Sequence, residues 1–252
     1  MQRKASFNAV ADLIKGLSDE EQTALVDNPA KLKAFVVGLL REIAESTYFT
    51  SLSDDEAAKL LAPKYRKKEA ACLVRAWRKF ASDSGYTGPV VWKVRAGFTL
   101  KLHAPKAGRC YDNWKYLQGW ELVNDKPTED TLIFWIPVLL PDSPTKTVNQ
   151  QMELFVKFRK DYKLPEHHLS SFGSAAELAG LIMAHAKRTG KRVPERCYWA
   201  RTDTLRAGGD RLNLGVFDGS GLYCDDWYWG DGADGYLGCF ALGVEALWPL
   251  DT

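Results

Sequence analysis

At Ser84-Gly85 the hydrophobic pattern of this 252-residue chain changes period. Before that point apolar residues recur three and four apart. They run through Phe7, Val10, Leu13, Ile14 and Leu17, then Leu32, Phe35, Val36, Leu39, Leu40 and Ile43, then Ala70, Leu73, Ala76, Trp77 and Phe80. Such spacing lines one face of a helix. Start signals accompany it: Ser18 with Glu21 and Ser53 with Glu56 form capping-box patterns, and Asn28-Pro29 reads as an N-cap followed by the first helical residue. After Gly85, Val90, Val91, Trp92, Val94, Phe98, Leu100 and Leu102 are β-branched, aromatic or alternating between Gly88-Pro89 and Pro105, which predicts strands. Asp130 to Leu140 is an apolar run of strand length, in which Pro137 permits only an edge, a bulge or two shorter pieces. Helices are expected from Val148 to Tyr162 and from Ser174, with Glu177 at its third position, to Gly190. From Cys197 the pattern is β again, with Asp218-Gly219 as a hairpin turn. The expected class is α+β, with a helical N-terminal unit over 1–85 and a second domain over 86–252.

No apolar run approaches membrane-spanning length and the N-terminus has no signal-peptide core, so a cytoplasmic protein with no membrane partner is expected. Cys72, Cys110, Cys197, Cys224 and Cys239 are odd in number and lack any C-x-x-C pair, which argues against a disulfide framework or a zinc site and for reduced packing residues. Charge is uneven: from Asp203 onward nine acids face two arginines. Lys64 to Phe80 instead holds Lys64, Arg66, Lys67, Lys68, Arg75, Arg78 and Lys79 against Glu69, a solvated helix face or a surface for nucleic acid or an acidic partner. Phosphate-loop, dinucleotide and serine-hydrolase motifs are absent. His167-His168 with Glu166 and His185 lacks metalloprotease spacing. Adjacent histidines are expected to point apart and His185 to be half-buried, so no metal or cofactor is predicted. Asp225, Asp226, Asp231 and Asp234 suggest calcium, but Leu242 stands where an EF-hand loop needs its glutamate, which leaves solvated turns, the reading preferred, or a lectin-type calcium site.

Phe217 to Phe240 reads FDGSGLYCDDWYWGDGADGYLGCF, crowding rings, short acids and glycines with few aliphatic residues. Binding loops use this mixture, because Tyr and Trp give rigid contact area while Asp, Ser and backbone amides give directional bonds. Between Pro165 and Leu247 the order is a small-residue helix start (SSFGSAAELAGLI), YWARTD at Tyr198 to Asp203, the hairpin FDGSGLY and a closing strand LGCFALGVEAL. This order resembles the C-type lectin fold, in the branch shared by formylglycine-generating enzymes and the variable proteins of diversity-generating retroelements. The family's usual G-F-R ending is replaced by Gly238-Cys239-Phe240-Ala241-Leu242, without the Arg. The resemblance implies a small twisted antiparallel sheet with two helices, and a non-catalytic binder of a protein or other macromolecule. Its diversified, ligand-facing residues would be Asp218, Ser220, Tyr223, Asp225, Asp226, Tyr228, Asp231, Ala233, Asp234 and Tyr236. Trp199, Leu214, Trp227, Trp229 and Phe240 would be framework. Two rival readings are a formylglycine-generating-type oxidase using Cys224 and Cys239, and a nucleic-acid module using Lys64 to Lys79 with Lys187, Arg188, Lys191 and Arg192.

Overall fold

The computed structural model describes Asn28 and residues 48–195, 197–226 and 232–247. The helices expected at Phe7 to Leu17 and Leu32 to Ile43, and the Ser18–Glu21 start signal, lie outside the described residues. The chain divides into two compact units between Thr47 and Tyr48, and the second is described here. The change of period at Ser84-Gly85 thus falls inside one packed unit. Its elements are β1 (Phe49–Leu52), α1 (Asp54–Leu61), α2 (Lys67–Asp83), β2 (Val91–Val94), α3 (Leu100–Ala107), a 3₁₀ segment (Tyr111–Gly119), β3 (Leu122–Val123), β4 (Thr131–Leu139), α4 (Val148–Tyr162), α5 (Ala175–Thr189), β5 (Trp199–Arg206), β6 (Arg211–Asp218), β7 (Gly221–Asp225), β8 (Leu237–Gly238) and β9 (Phe240–Ala246). The class is α+β.

Four antiparallel strands in the order β1-β2-β4-β9 form a central sheet covered on both faces. Leu132, Phe134, Ile136 and Ala241 pack with Trp77 and Phe80 of α2 and Phe155 of α4. The alternate residues Ile133, Trp135, Phe240 and Leu242 pack with Leu178, Leu181 and Ile182 of α5. A strand buried on both faces needs apolar residues at every position. That is why β4 shows no alternation, and Pro137 falls at a bulge, where the register against β9 shifts between Ile136 and Leu139.

The expected helix starts at Ser53, Val148 and Ser174 are present as full capping boxes. Ser53, Thr147 and Ser174 each accept from the backbone N–H three residues on, and Glu56, Gln150 and Glu177 return a side chain to the cap. Leu100 to Leu102 is a correction, because the run lies in α3 rather than in a strand. Leu100 and Ala104 are buried one turn apart while Leu102 points outward, so the short alternation that suggested a strand is a helix buried along one face. With α3 and the 3₁₀ segment added, the residues after 86 hold more helix than the two expected, and they contribute to two sheets rather than one.

The second sheet has the order β3-β5-β6-β7, with β8 running parallel to β5. Ala200, Leu214 and Cys224, opposite one another in register, face the core shared with α5. The alternate rows, Trp199–Gly215–Tyr223 and Arg201–Asn213–Asp225, face the other way.

Candidate ligand-binding face

Trp199, Gly215 and Tyr223 lie side by side on β5, β6 and β7. A Cβ on Gly215 would sit 2.7 Å from Cα and 2.8 Å from Cδ2 of Trp199, so the indole uses the space that a side chain on β6 would fill. The Trp199 ring stands edge-on to Tyr223 with centroids 6.4 Å apart, and Tyr111 stacks on the far side of Tyr223 at 4.1 Å and 15°. Tyr111 is delivered by a backbone run laced to β7. Leu222 N–H donates to Arg109 O at 2.9 Å, the Trp114 indole N–H to Leu222 O at 2.7 Å and the Tyr116 hydroxyl to Cys224 O at 2.8 Å. The close approach requires glycine at 221, where φ is +123° and a Cβ would meet Cys110 C at 2.6 Å. Asp112, Asn113 and Trp114 are all left-handed, which buries the Trp114 ring while leaving Tyr111 41% exposed. Tyr236, 51% exposed, stands edge-on to Tyr198 at 6.0 Å, and its carbonyl accepts from Trp199 N–H at 2.7 Å.

The residues expected to meet a ligand fall in three places. Asp218 and Ser220 form the β6–β7 turn, where Asp218 Oδ1 accepts from Ser220 N–H at 2.6 Å. Beside that turn is a cavity of about 380 Å³ bounded by Arg192, Glu195, Phe217, Asp218 and Gly219, with the Arg192 guanidinium 5.7 Å over the Phe217 ring. Tyr223 occupies the aromatic row, and Asp225 and Asp226 end β7. Burial pushes the Asp225 carboxyl up, while Asp226 pairs at 2.7 Å with Arg206, itself 4.6 Å over the Trp120 ring. Ala233 and Tyr236 are exposed; Asp234 Oδ1 accepts from Tyr236 N–H at 2.7 Å. Tyr228 and Asp231, with the framework candidates Trp227 and Trp229, lie outside the described residues. Trp199, Leu214 and Phe240 are buried. Among the described residues the aspartates gather into no group of three cation ligands.

The segment that resumes at Gly232 is held through its main chain. The Arg201 guanidinium, on β5, donates to Gly232 O, and Thr145 N–H donates to Asp234 O at 2.8 Å. The Gln151 amide on α4 donates to Leu237 O at 3.0 Å, and Cys239 N–H donates to Ser143 Oγ at 3.1 Å. None of these bonds involves a side chain of residues 232 to 239.

A second cluster was only half legible. His167 and His168 converge instead of diverging, and the carboxylate they meet is that of Glu245 on β9 rather than Glu166. Both Nε2 atoms reach Glu245 Oε1, at 2.8 and 2.9 Å, while the Tyr65 hydroxyl donates to the same oxygen at 2.6 Å and Lys64 Nζ to Oε2 at 2.5 Å. Burial alone would raise the Glu245 carboxyl, but donors from His168, Lys64, Tyr65 and His167 outweigh it and hold the group well below the usual carboxylate range. The three groups lie within 4.8 Å of one another, close enough to hold a metal ion. Trp77 opposes that use. Its indole N–H donates to His168 Nδ1 at 3.0 Å, so the proton of neutral His168 sits on Nε2, the atom a metal would need. His185 is elsewhere and fully buried rather than half-buried, edge-on to Trp135 at 5.9 Å; burial and then Arg188 and Lys191 lower it to about 4.

Compared with protein-family models, with curated proteins and with solved structures, the chain matches none. Cysteine chemistry finds little support in the geometry. Cys224 and Cys239 lie in different hydrophobic clusters, Cys224 with α5 and Cys239 with α2 and α4. Burial raises the Cys224 thiol well above its ordinary value and Cys239 to about 12. Only Cys72 and Cys197 are exposed. No described helix is long and apolar enough to cross a membrane.

Proposed function

We propose that the chain is a non-catalytic, C-type-lectin-like binding protein, akin to the variable proteins of diversity-generating retroelements. It presents the rings of Tyr111, Tyr223 and Tyr236 and the turns beside β5–β7 to a macromolecular ligand, in the first place a protein. The observation that carries this reading is that Gly232, Asp234 and Tyr236 are held by their main-chain carbonyls. A loop fixed through its carbonyls keeps its course when its side chains change, which is the property a diversified surface needs. The Tyr111–Tyr223 stack beside it supplies rigid aromatic area of the kind that anchors interfaces. YWARTD entering the sheet as β5, the β6–β7 hairpin at Asp218-Gly219 and β9 closing the unit against β4 are consistent with the lectin-like resemblance.

The test begins with the DNA encoding residues 210 to 245 and its flanks. A near-identical downstream copy differing only at adenines, beside a reverse transcriptase gene, would support diversification and mark the variable codons. Their absence would leave a face of fixed specificity. The face itself is tested on a protein that the parent chain captures and binds saturably: Tyr111→Ala is expected to weaken that binding at least tenfold, and unchanged binding in both Tyr111→Ala and Tyr223→Ala would remove it from consideration.

A further inference from the structure

We infer that a trough between α2 and the end of α4 is a second docking surface, shaped for an amphipathic helical segment of a partner protein whose polar flank is acidic. The basic stretch from Lys64 to Lys79 is partly answered within the chain: Lys64 pairs with Glu245, Arg78 with Asp54 at 2.7 Å and Lys79 with Asp83 at 2.7 Å. Arg75 makes no ion pair with a described residue, and neither does Lys163, the left-handed residue that ends α4. Arg75 and Lys163 both border the trough, which encloses about 640 Å³. Its floor is apolar and aromatic, from Tyr65, Leu73, Ala76, Tyr162 and Pro165. Lys79 completes the rim, against the single carboxylate of Glu69.

Charge and shape together select the occupant. A nucleic-acid backbone would satisfy Arg75 and Lys163 but leave the apolar floor against phosphates, a mismatch in a complex driven by phosphate contacts. A purely apolar partner would strand the cations. An amphipathic helix with acidic flanks covers the floor with its apolar residues and pairs its carboxylates with the rim. From Glu69 to Lys79 the α2 wall runs about 15 Å, near three helical turns, enough for anchors at i, i+3 or i+4 and i+7. This surface stands independently of the aromatic face.

Cys72 lines the trough and is exposed, which gives a reporter. In the full chain carrying Cys197→Ser, a polarity-sensitive fluorophore on Cys72 would be titrated with three probes: an 18-residue helical peptide with leucines at i, i+3, i+4 and i+7 and glutamates elsewhere, the same peptide with lysines for glutamates, and a 20-base-pair DNA duplex. The acidic peptide is expected to give a saturable blue shift at a concentration at least tenfold below the basic one. Arg75→Glu with Lys163→Glu, both exposed and so harmless to folding, is expected to reverse that preference. Equal responses to both peptides, no saturable response to either, no reversal in the double variant, or a response to DNA alone would each overturn the proposal.

Discussion

Replacing Glu245 by Gln changes one atom at the junction of the α1–α2 turn, the loop after α4 and β9. The three donors to Oε1, from Tyr65, His167 and His168, keep an oxygen acceptor but lose its charge, while the amide nitrogen at the Oε2 position turns a donor toward Lys64. Hydrogen bonds to a charged group contribute about 1.5–3 kcal/mol each, and those to the exposed Lys64 and His167 are screened, so the expected loss at pH 7 is about 3 kcal/mol. The pH dependence follows from the depressed carboxyl. Its contribution is full above the unfolded value of 4.5 and falls as pH drops below it, because the unfolded chain takes up a proton that folded Glu245 refuses. At pH 3.5 that contribution is smaller by about 1.4 kcal/mol, whereas the Gln variant has no carboxyl at 245 to titrate. Urea unfolding followed by tryptophan fluorescence at pH 7, 4.5 and 3.5 reads both quantities. A penalty below about 1 kcal/mol at pH 7, or a gap that stays constant between pH 4.5 and 3.5, would refute the reasoning.

Trp77→Phe removes the donor that fixes the His168 tautomer, so zinc affinity measured by calorimetry should rise at least tenfold over the parent protein; tight zinc binding by the parent would show that the indole does not block the site. Tyr223→Ala is expected to cost about 1 kcal/mol through loss of the Tyr111 stack, a modest drop in melting temperature, and a loss above about 3 kcal/mol would mark Tyr223 as core. Under native conditions Ellman's reagent should modify Cys72 and Cys197 rapidly and leave Cys110, Cys224 and Cys239 untouched until unfolding; fast reaction of Cys224 or Cys239 would revive the oxidase reading.

What could be read from the sequence was local. Each capping box is written in four consecutive residues, so Ser53 and Ser174 start helices in the structure where their neighbours said they would, and the helix expected from Val148 starts from a further box at Thr147. The β6–β7 turn at Asp218-Gly219 was equally plain. The two-sided burial of β4 was legible as an unbroken apolar run, with Pro137 marking its bulge, whereas alternation misled where a run is too short to fix a period, as at Leu100 to Leu102. The Tyr111–Tyr223 stack spans 112 positions and the Tyr65–Glu245 bond 180, and neither residue carries a local mark of its distant partner. Glu245 is the instructive case. One acid in an apolar strand reads as a surface position, yet it is 1% exposed, because donors from two distant segments meet it there.

The Glu245 cluster and the segment that begins at Gly232 rest on opposite kinds of bonding. Around Glu245 side chain meets side chain, so almost any substitution among Lys64, Tyr65, Trp77, His168 and Glu245 strands a partner. From Gly232 to Leu237, scaffold groups on α4, β5 and the 143–145 loop hold main-chain carbonyls, and Ala233 and Tyr236 project outward, whereas Leu237 and Cys239 are buried. The same strand joins them, since β9 begins at Phe240, after the anchored segment, and reaches Glu245 five residues later. A side-chain lock at one end of β9 and main-chain anchoring of the segment before the other end would, under the proposed function, let Ala233 and Tyr236 vary while the course of the chain beneath them stays set. Display, as proposed, needs a fixed backbone course with exposed side chains free to differ, and this arrangement is consistent with it.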